Sequence, residues 1–114
     1  MSNKTYPRTL RIADLLQQEI ARVITIELRD PRFSLVSVTA VNVSRDASHA
    51  IVFIDVLNQS DAELTITALN HASGFIRHEL AKRLEMRSVP KLRFNYDLSI
   101  LRGEQISKLI DDAE

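Results

Sequence analysis

The chain has 114 residues, 45% hydrophobic and 26% charged, which suits one globular domain spanning residues 1–114. It contains no cysteine, which excludes disulfides and thiolate metal sites. Without a signal peptide or an apolar run that could span a membrane, we expect a cytoplasmic protein. The 15 basic residues balance the 15 acidic ones, so binding to a polyanion would have to come from a local patch.

The first part of the chain predicts a single amphipathic helix. We expect residues 1–7 to be flexible, and apolar residues at helical spacing predict a helix from Thr9 to about Leu28. Glu19 and Glu27 fall within its wide apolar arc, and we expect them to reach water at the edge of that arc. Asp30-Pro31 then ends the helix, since a residue before proline avoids the α conformation.

Two β-rich runs then predict a hairpin. The run Leu35–Ser44 alternates apolar and polar residues, with a change of phase near Ala40 that indicates a bulge. The run Ala50–Leu57 is almost continuously apolar, which predicts a buried strand. Ser44–Ser48 has the composition of a turn between them.

The second half predicts a kinked helix and a last strand. Ser60–Glu63 has the pattern of a capping box, and apolar residues recur at helical spacing after it. This predicted stripe comprises Leu64, Ala68, Leu69, Ala72, Ile76, Leu80 and Leu84. Gly74 interrupts the pattern, which predicts either a kink or a close approach of another backbone segment. After Pro90, Lys91–Tyr96 alternates as a half-buried strand.

Residues 97–114 predict a loop followed by a short terminal helix, Gln105–Ala113, with Ile106, Leu109 and Ile110 on one side. The whole order is α–β–β–α(kink)α–β. It predicts an α+β domain in which helices cover one face of a small three-stranded sheet.

No catalytic or metal-binding arrangement is evident. His71 and His78 lie too far apart along one helix to share a metal, and His49 lies beside a turn. Asp55, in an apolar strand, is more consistent with a sheet edge or an ion pair than with acid–base chemistry. Glycine-rich phosphate loops are absent. We therefore expect no enzyme, no cofactor and no metal.

Charge is unevenly distributed along the chain. Between Arg77 and Arg93 there are six basic residues and two acidic ones, whereas Ile51–Ile76 has three acidic residues and no basic one. The six basic residues are Arg77, Lys82, Arg83, Arg87, Lys91 and Arg93. A solvated helix face is the ordinary explanation for such charges, but their segregation and the four arginines favour phosphate binding. We expect helix and strand to form one continuous basic surface for structured RNA.

The α–β–β–α–α–β order resembles a type II KH domain, but the usual Gly-x-x-Gly loop is replaced by Ala72-Ser73-Gly74. With this replacement, the chain closely resembles the ribosome-binding factor A family over about residues 8–110. The matching motifs are Asp30-Pro31-Arg32, Val36–Asp46, Ala50–Ile54, Ala72–Arg77, Val89–Phe94 and Asp97-Leu98-Ser99.

This resemblance implies a non-enzymatic factor that binds the free 30S small ribosomal subunit and 16S rRNA. Family members assist late subunit maturation and 16S rRNA 5′-end processing, are needed especially in the cold, and are released in known cases with an assembly GTPase. The resemblance assigns the interhelical kink to Ala72, Ser73 and Gly74 and the rRNA surface to the six basic residues above. Charge alone adds Arg8, Arg11 and Arg45.

Two alternatives remain open from the sequence. A general KH-like nucleic-acid-binding module would share the basic surface without preferring the small subunit. A protein-interaction module would use the apolar side of the terminal helix, and its binding would respond little to salt. We expect a monomer in each case.

Overall fold

The computed structural model of the chain describes residues 8–33, 35–57, 59–84, 86 and 88–97. The predicted order of elements and the α+β class are confirmed. The elements are α1 (Arg8–Arg22), β1 (Val36–Val43), β2 (His49–Val56), α2 (Ala62–His71), α3 (Ser73–Arg83) and β3 (Lys91–Tyr96). The predicted terminal helix Gln105–Ala113 and the N-terminal residues 1–7 lie outside the described residues. None of the helices in the described ranges has the length and apolar character that a membrane span requires.

The three strands form one sheet in the order β1-β2-β3, with β1 antiparallel and β3 parallel to β2. The predicted bulge is confirmed, because the register of β1 shifts between Val38 and Ala40 and leaves Thr39 as the extra residue. Gln17 of α1 donates hydrogen bonds of 3.2 Å from Nε2 to the carbonyl oxygens of Val38 and Thr39. Hydrogen bonds from α1 to the sheet are thus made at the bulge.

All three helices pack on one face of this sheet. Alternate residues of β2, namely Ala50, Val52, Ile54 and Val56, point into the core between the helices and the sheet. Leu92, Phe94 and Tyr96 face the same core, as the alternation in β3 predicts. The other residues of the strands therefore face outward, and we call that side the outer face.

The end of the first helix differs from the prediction. After Arg22 the chain continues as a π-helical turn, Val23–Leu28, whose i→i+5 hydrogen bonding makes each turn wider. Val23 and Ile24 are buried, while Ile26 is 47% exposed. The turn ends at Arg29 in the left-handed conformation, with φ of 48°.

The two glutamates within the apolar arc have ion-pair partners. Glu19 lies 3.0 Å from Arg22, one turn further along the helix. Glu27 projects from the π-helical turn and accepts a 2.7 Å hydrogen bond from Arg83 of α3. Glu27 reaches water as expected, whereas the Glu19 side chain is only 12% exposed, and both carboxylates bind arginines.

The start of α2 also corrects the prediction. A 3-10 turn, Gln59–Asp61, precedes the helix, and Asp61, the N-cap residue, makes no side-chain capping hydrogen bond. The helix therefore begins later than a capping box at Ser60 would place it. Leu64, predicted in the buried stripe, is 74% exposed, and Thr65 is buried in its place. Leu69, also predicted in the stripe, is fully buried, so the difference is confined to the first turn of α2.

The helix is interrupted at Ala72, which lies between α2 and α3. The Ala72 amide donates to the carbonyls of Ala68 and Leu69, at 3.0 and 3.1 Å, and its backbone leaves the helical conformation at ψ of 1°. Gly74 has no positive φ, and an added Cβ would meet no other atom within 4 Å. Of the two alternatives predicted for Gly74, the structure therefore has the interruption of the helix and not the close approach of another backbone segment.

Strand β3 lies at the edge of the sheet and is held there by a side chain of α2. Asn70 donates from Nδ2 to the carbonyl oxygen of Phe94 at 3.2 Å and accepts from the Phe94 amide at 2.8 Å. This pair of hydrogen bonds replaces those that a further strand would make. The position of β3 therefore depends on the kinked helix pair as well as on β2.

Candidate nucleic-acid interface

The basic residues of helix α3 are engaged with other parts of the chain. Arg77 is half-buried and donates from Nε to the carbonyl oxygen of Val89 at 2.9 Å. Lys82 lies 3.2 Å from Glu79, one turn back on the same helix. Arg83 pairs with Glu27 of the π-helical turn. We call Arg77, Lys82 and Arg83 the helix cations.

The basic residues of strand β3 are in a different situation. Lys91 and Arg93 are both exposed, and neither side chain has an ion-pair partner among the described residues. They alternate with core residues, so both project from the outer face. In the parallel register, Lys91 is adjacent to His49 of β2 and Arg93 is adjacent to Ile51.

The β1–β2 turn brings a third cation to the same end of the sheet. The backbone amide of Lys91 donates to the carbonyl oxygen of Ser48 at 2.9 Å, so the turn abuts the start of β3. Arg45 is exposed in this turn. We call Arg45, Lys91 and Arg93 the strand cations.

The one carboxylate in this turn is held by its neighbours rather than by a cation. Asp46 Oδ1 accepts hydrogen bonds from the Ser48 hydroxyl at 2.7 Å, the Ser44 hydroxyl at 2.8 Å and the Ser48 amide at 3.1 Å. These bonds, that from the Ser48 side chain first, lower the pKa of Asp46 to about 2. The turn is thereby given a defined shape next to Arg45.

The structure divides the predicted surface into two parts. The helix cations belong to an element on the core side of β3, whereas Lys91 and Arg93 point to the outer face. Whether the two groups form one continuous basic surface around the edge of β3 stays a prediction. Arg8 and Arg11 are exposed on α1, and Arg87 lies outside the described residues.

The motif Asp30-Pro31-Arg32 forms a local ion-paired turn. The Asp30 carboxylate accepts from the Arg32 backbone amide at 2.9 Å and from its guanidinium at 2.6 Å. The side-chain hydrogen bond from Arg32 lowers the pKa of Asp30. Arg32 also lies over the ring of Phe33, 5.5 Å from its centroid. Arg32 is thus oriented by its own turn.

The sequence did not predict that His49 lies beside Lys91 or that Glu27 pairs with Arg83. His49 is exposed beside Lys91, which only the register of β2 and β3 reveals. Glu27 pairs with Arg83, which is 56 residues away in the sequence. The sequence signal for such a partner was the position of Glu27 within an apolar arc. Within the described ranges, no three His, Asp or Glu side chains come together in a way that could hold a metal ion.

Comparison with known proteins identifies the family. The family model for ribosome-binding factor A matches residues 8–110. The chain belongs to the ribosome-binding factor A family. Among curated members, that of Pseudomonas syringae pv. syringae is 50% identical over 113 residues, which cover 96% of this chain and 82% of that protein.

Solved structures of the family have the same fold. The crystal structure of ribosome-binding factor A from Thermus thermophilus has a TM-score of 0.72 and 30% identity, covering 79% of this chain and 97% of that one. A homology model of the Thermus thermophilus factor, fitted into a cryo-EM map of its complex with the 30S subunit, has a TM-score of 0.64 and 31% identity. That match covers 75% of this chain and 92% of the fitted one.

Proposed function

We propose that this protein binds the free 30S ribosomal subunit through 16S rRNA in the cytoplasm and assists late maturation of the subunit. In this role it supports processing of the 16S rRNA 5′ end, with the greatest need in the cold. Membership of the family supports the proposal, as does the fitted Thermus thermophilus 30S complex of a relative with the same fold.

The observation that carries the proposal is the availability of the strand cations. Arg45, Lys91 and Arg93 are exposed at one end of the sheet, and none of them pairs with a carboxylate among the described residues. Arginine presents a planar fork that matches phosphate oxygens, and lysine supplies a compact charge. We assign these three residues the main contacts with rRNA phosphates.

The helix cations and the remaining basic residues have a secondary role in the proposal. Lys82 is largely exposed, with 60% of its side chain accessible, so an rRNA phosphate can compete with Glu79 for its ammonium. Arg77 and Arg83 are more restricted by their partners. Further contacts are assigned to Arg8, Arg11 and Arg87.

The interhelical kink is proposed as a second contact region. Ala72, Ser73 and Gly74 stand where other KH domains have their nucleic-acid-binding loop. Gly74 is exposed at the start of α3 with open space beside its Cα, which suits the close approach of an RNA backbone.

We further propose that the protein acts as a monomer, performs no catalysis and is released from the subunit with an assembly GTPase. Phosphate binding by arginine and lysine needs neither a cofactor nor a metal.

Co-sedimentation with separated small subunits, large subunits and translating ribosomes tests the proposal. We expect association with free small subunits alone, weakening steeply with salt because phosphate contacts release counterions. Equal binding to every fraction would instead indicate a general nucleic-acid-binding module. Binding that is insensitive to salt, or no binding at all, would favour a protein-interaction module that uses the terminal helix.

A further inference from the structure

Phe53 is fully buried on the side of the sheet that the helices do not cover. Its neighbours Val52 and Ile54 point into the core, whereas Phe53 lies in register with Ala40 of β1 and Asn95 of β3 on the outer face. It is 0% exposed and is not part of the core between helices and sheet. Because the described helices all pack on the opposite face, none of them accounts for this burial.

The outer face combines an apolar centre with a basic end. Ile51, partly buried, follows Phe53 along the face in the direction of the β1–β2 turn. Arg93 and Lys91 lie beside Ile51 and His49, further toward that turn. A segment complementary to this face needs apolar side chains followed by acidic ones.

Residues 98–114 have this composition. Ile106, Leu109 and Ile110 share one side of a helical pattern, and Asp111, Asp112 and Glu114 come directly after them. The segment follows Asp97, whose backbone amide donates to the carbonyl oxygen of Ile54, next to Phe53. The residues between Asp97 and Gln105 can span roughly 24 Å when extended, somewhat more than the ~20 Å length of β3. The segment can therefore reach the whole outer face.

We propose that residues 98–114 dock on the outer face of the sheet. Ile106, Leu109 and Ile110 cover Phe53 and Ile51, and the acidic end lies beside the strand cations. The docked segment then competes with rRNA for Lys91 and Arg93. That competition rests on the proposed function, whereas the docking does not.

A single spin label tests the docking without RNA. Because the chain has no cysteine, Ala113→Cys provides one attachment site for a nitroxide in the full chain. We expect the label to broaden the NMR amide signals of Ile51 and Arg93 and to leave those of Thr67 and His71, on the far side of α2, sharp. Equal broadening of both groups, or none at the sheet, would overturn the proposal.

A matched pair of variants separates docking from a general loss of apolar surface. In the labelled protein, Ile106→Ser with Leu109→Ser should abolish the broadening at Arg93. Leu64→Ser, which makes the same kind of change at a leucine that is 74% exposed on α2, should leave it intact. Persistence of the broadening in the first variant would show that these apolar residues do not hold the segment.

The competition has its own readout, the affinity for isolated small subunits. The Ile106→Ser, Leu109→Ser variant should bind severalfold more tightly than the parent chain, and Leu64→Ser should not. Unchanged affinity would overturn the competition. Absence of subunit binding in every variant would contradict the proposed function and leave the spin-label result standing.

Discussion

Apart from Arg45 in the β1–β2 turn, the helix cations and the strand cations come from one short basic stretch of sequence, but their contacts within the chain differ. In α3, Lys82 pairs with Glu79 of the same helix, whereas Arg83 and Arg77 contact Glu27 and the carbonyl of Val89 in other parts of the chain. On the outer face, Lys91 and Arg93 have no such partner among the described residues. Charge density along a sequence therefore locates cations but does not tell which of them are available to a ligand.

Replacing the strand cations should have the largest effect on binding. We expect Lys91→Ala with Arg93→Ala to lower affinity for the small subunit about thirtyfold, at roughly 1 kcal/mol per phosphate contact. The slope of log affinity against log salt should fall by about two. Titrations at several salt concentrations measure both quantities. The matched helix variant, Lys82→Ala with Arg83→Ala, should lose less affinity than the Lys91→Ala, Arg93→Ala variant. Equal losses of affinity would remove the distinction between the two groups.

Replacing Arg77 should affect stability before binding. Arg77→Ala leaves the Val89 carbonyl without its donor, so we expect the free energy of unfolding in urea to fall by about 1.5 kcal/mol. Lys82→Ala is the control, with an expected change under about 0.5 kcal/mol because the Lys82 side chain is 60% exposed. Arg77→Lys keeps the charge. Binding that survives in Arg77→Lys but fails in Arg77→Ala would assign this side chain a direct role in recognition.

Gly74→Ala separates the stability of α3 from recognition at the kink. The added methyl meets no atom within 4 Å and the backbone needs no positive φ. The free energy of unfolding should therefore rise by about 0.5 kcal/mol. If rRNA approaches Gly74 closely, the same variant should bind small subunits more weakly. A less stable protein would show that Gly74 has a structural role that its surroundings do not reveal.

The Glu27–Arg83 pair should contribute little, although it joins two elements. Both side chains are about one third exposed, so a double-mutant cycle with Glu27→Gln and Arg83→Gln should give a coupling of about 0.5 kcal/mol. Because solvent screens the pair, the coupling should shrink at high salt. A coupling that salt does not change would indicate a pair shielded from solvent, contrary to its exposure.

Acid should loosen the turn that carries Arg45. The pKa of Asp46 is lowered from 3.8 to about 2 in the folded protein. The hydrogen bonds to the carboxylate therefore stabilise the turn fully at any pH above 3.8, the pKa of the unfolded state. That stabilisation is lost as the pH falls through about 2. The Ser48 amide signal should follow this titration by NMR, and Asp46→Asn should abolish it. A midpoint near 3.8 would contradict the hydrogen bonding described for this turn.

Local patterns were sufficient to predict the order of the elements. The bulge near Ala40, the interruption between α2 and α3 and the inward face of β3 each follow from a few adjacent residues, and the structure has all three. Leu64 shows the limit of this reasoning. Periodicity placed it in the core, but a 3-10 turn precedes α2, and in the first turn of the helix Thr65 is buried instead.

The division of the candidate site could not be predicted from the sequence. Arg83 meets Glu27 across 56 residues, and Arg77 meets a backbone carbonyl that no side-chain pattern marks. The π-helical turn that directs Glu27 toward α3 has no simple sequence signal. Whether a cation is free depends on such tertiary contacts, which local spacing does not encode.

The parallel pairing of β3 with β2 has a consequence for synthesis of the chain. The crossover between them contains both α2 and α3, so the strand that carries Lys91 and Arg93 leaves the ribosome after every other described element. Until it arrives, the edge of β2 is open and Asn70 lacks the backbone that it binds. The outer face that we propose for RNA binding is therefore assembled only when β3 pairs with β2, after the other described elements have been synthesised.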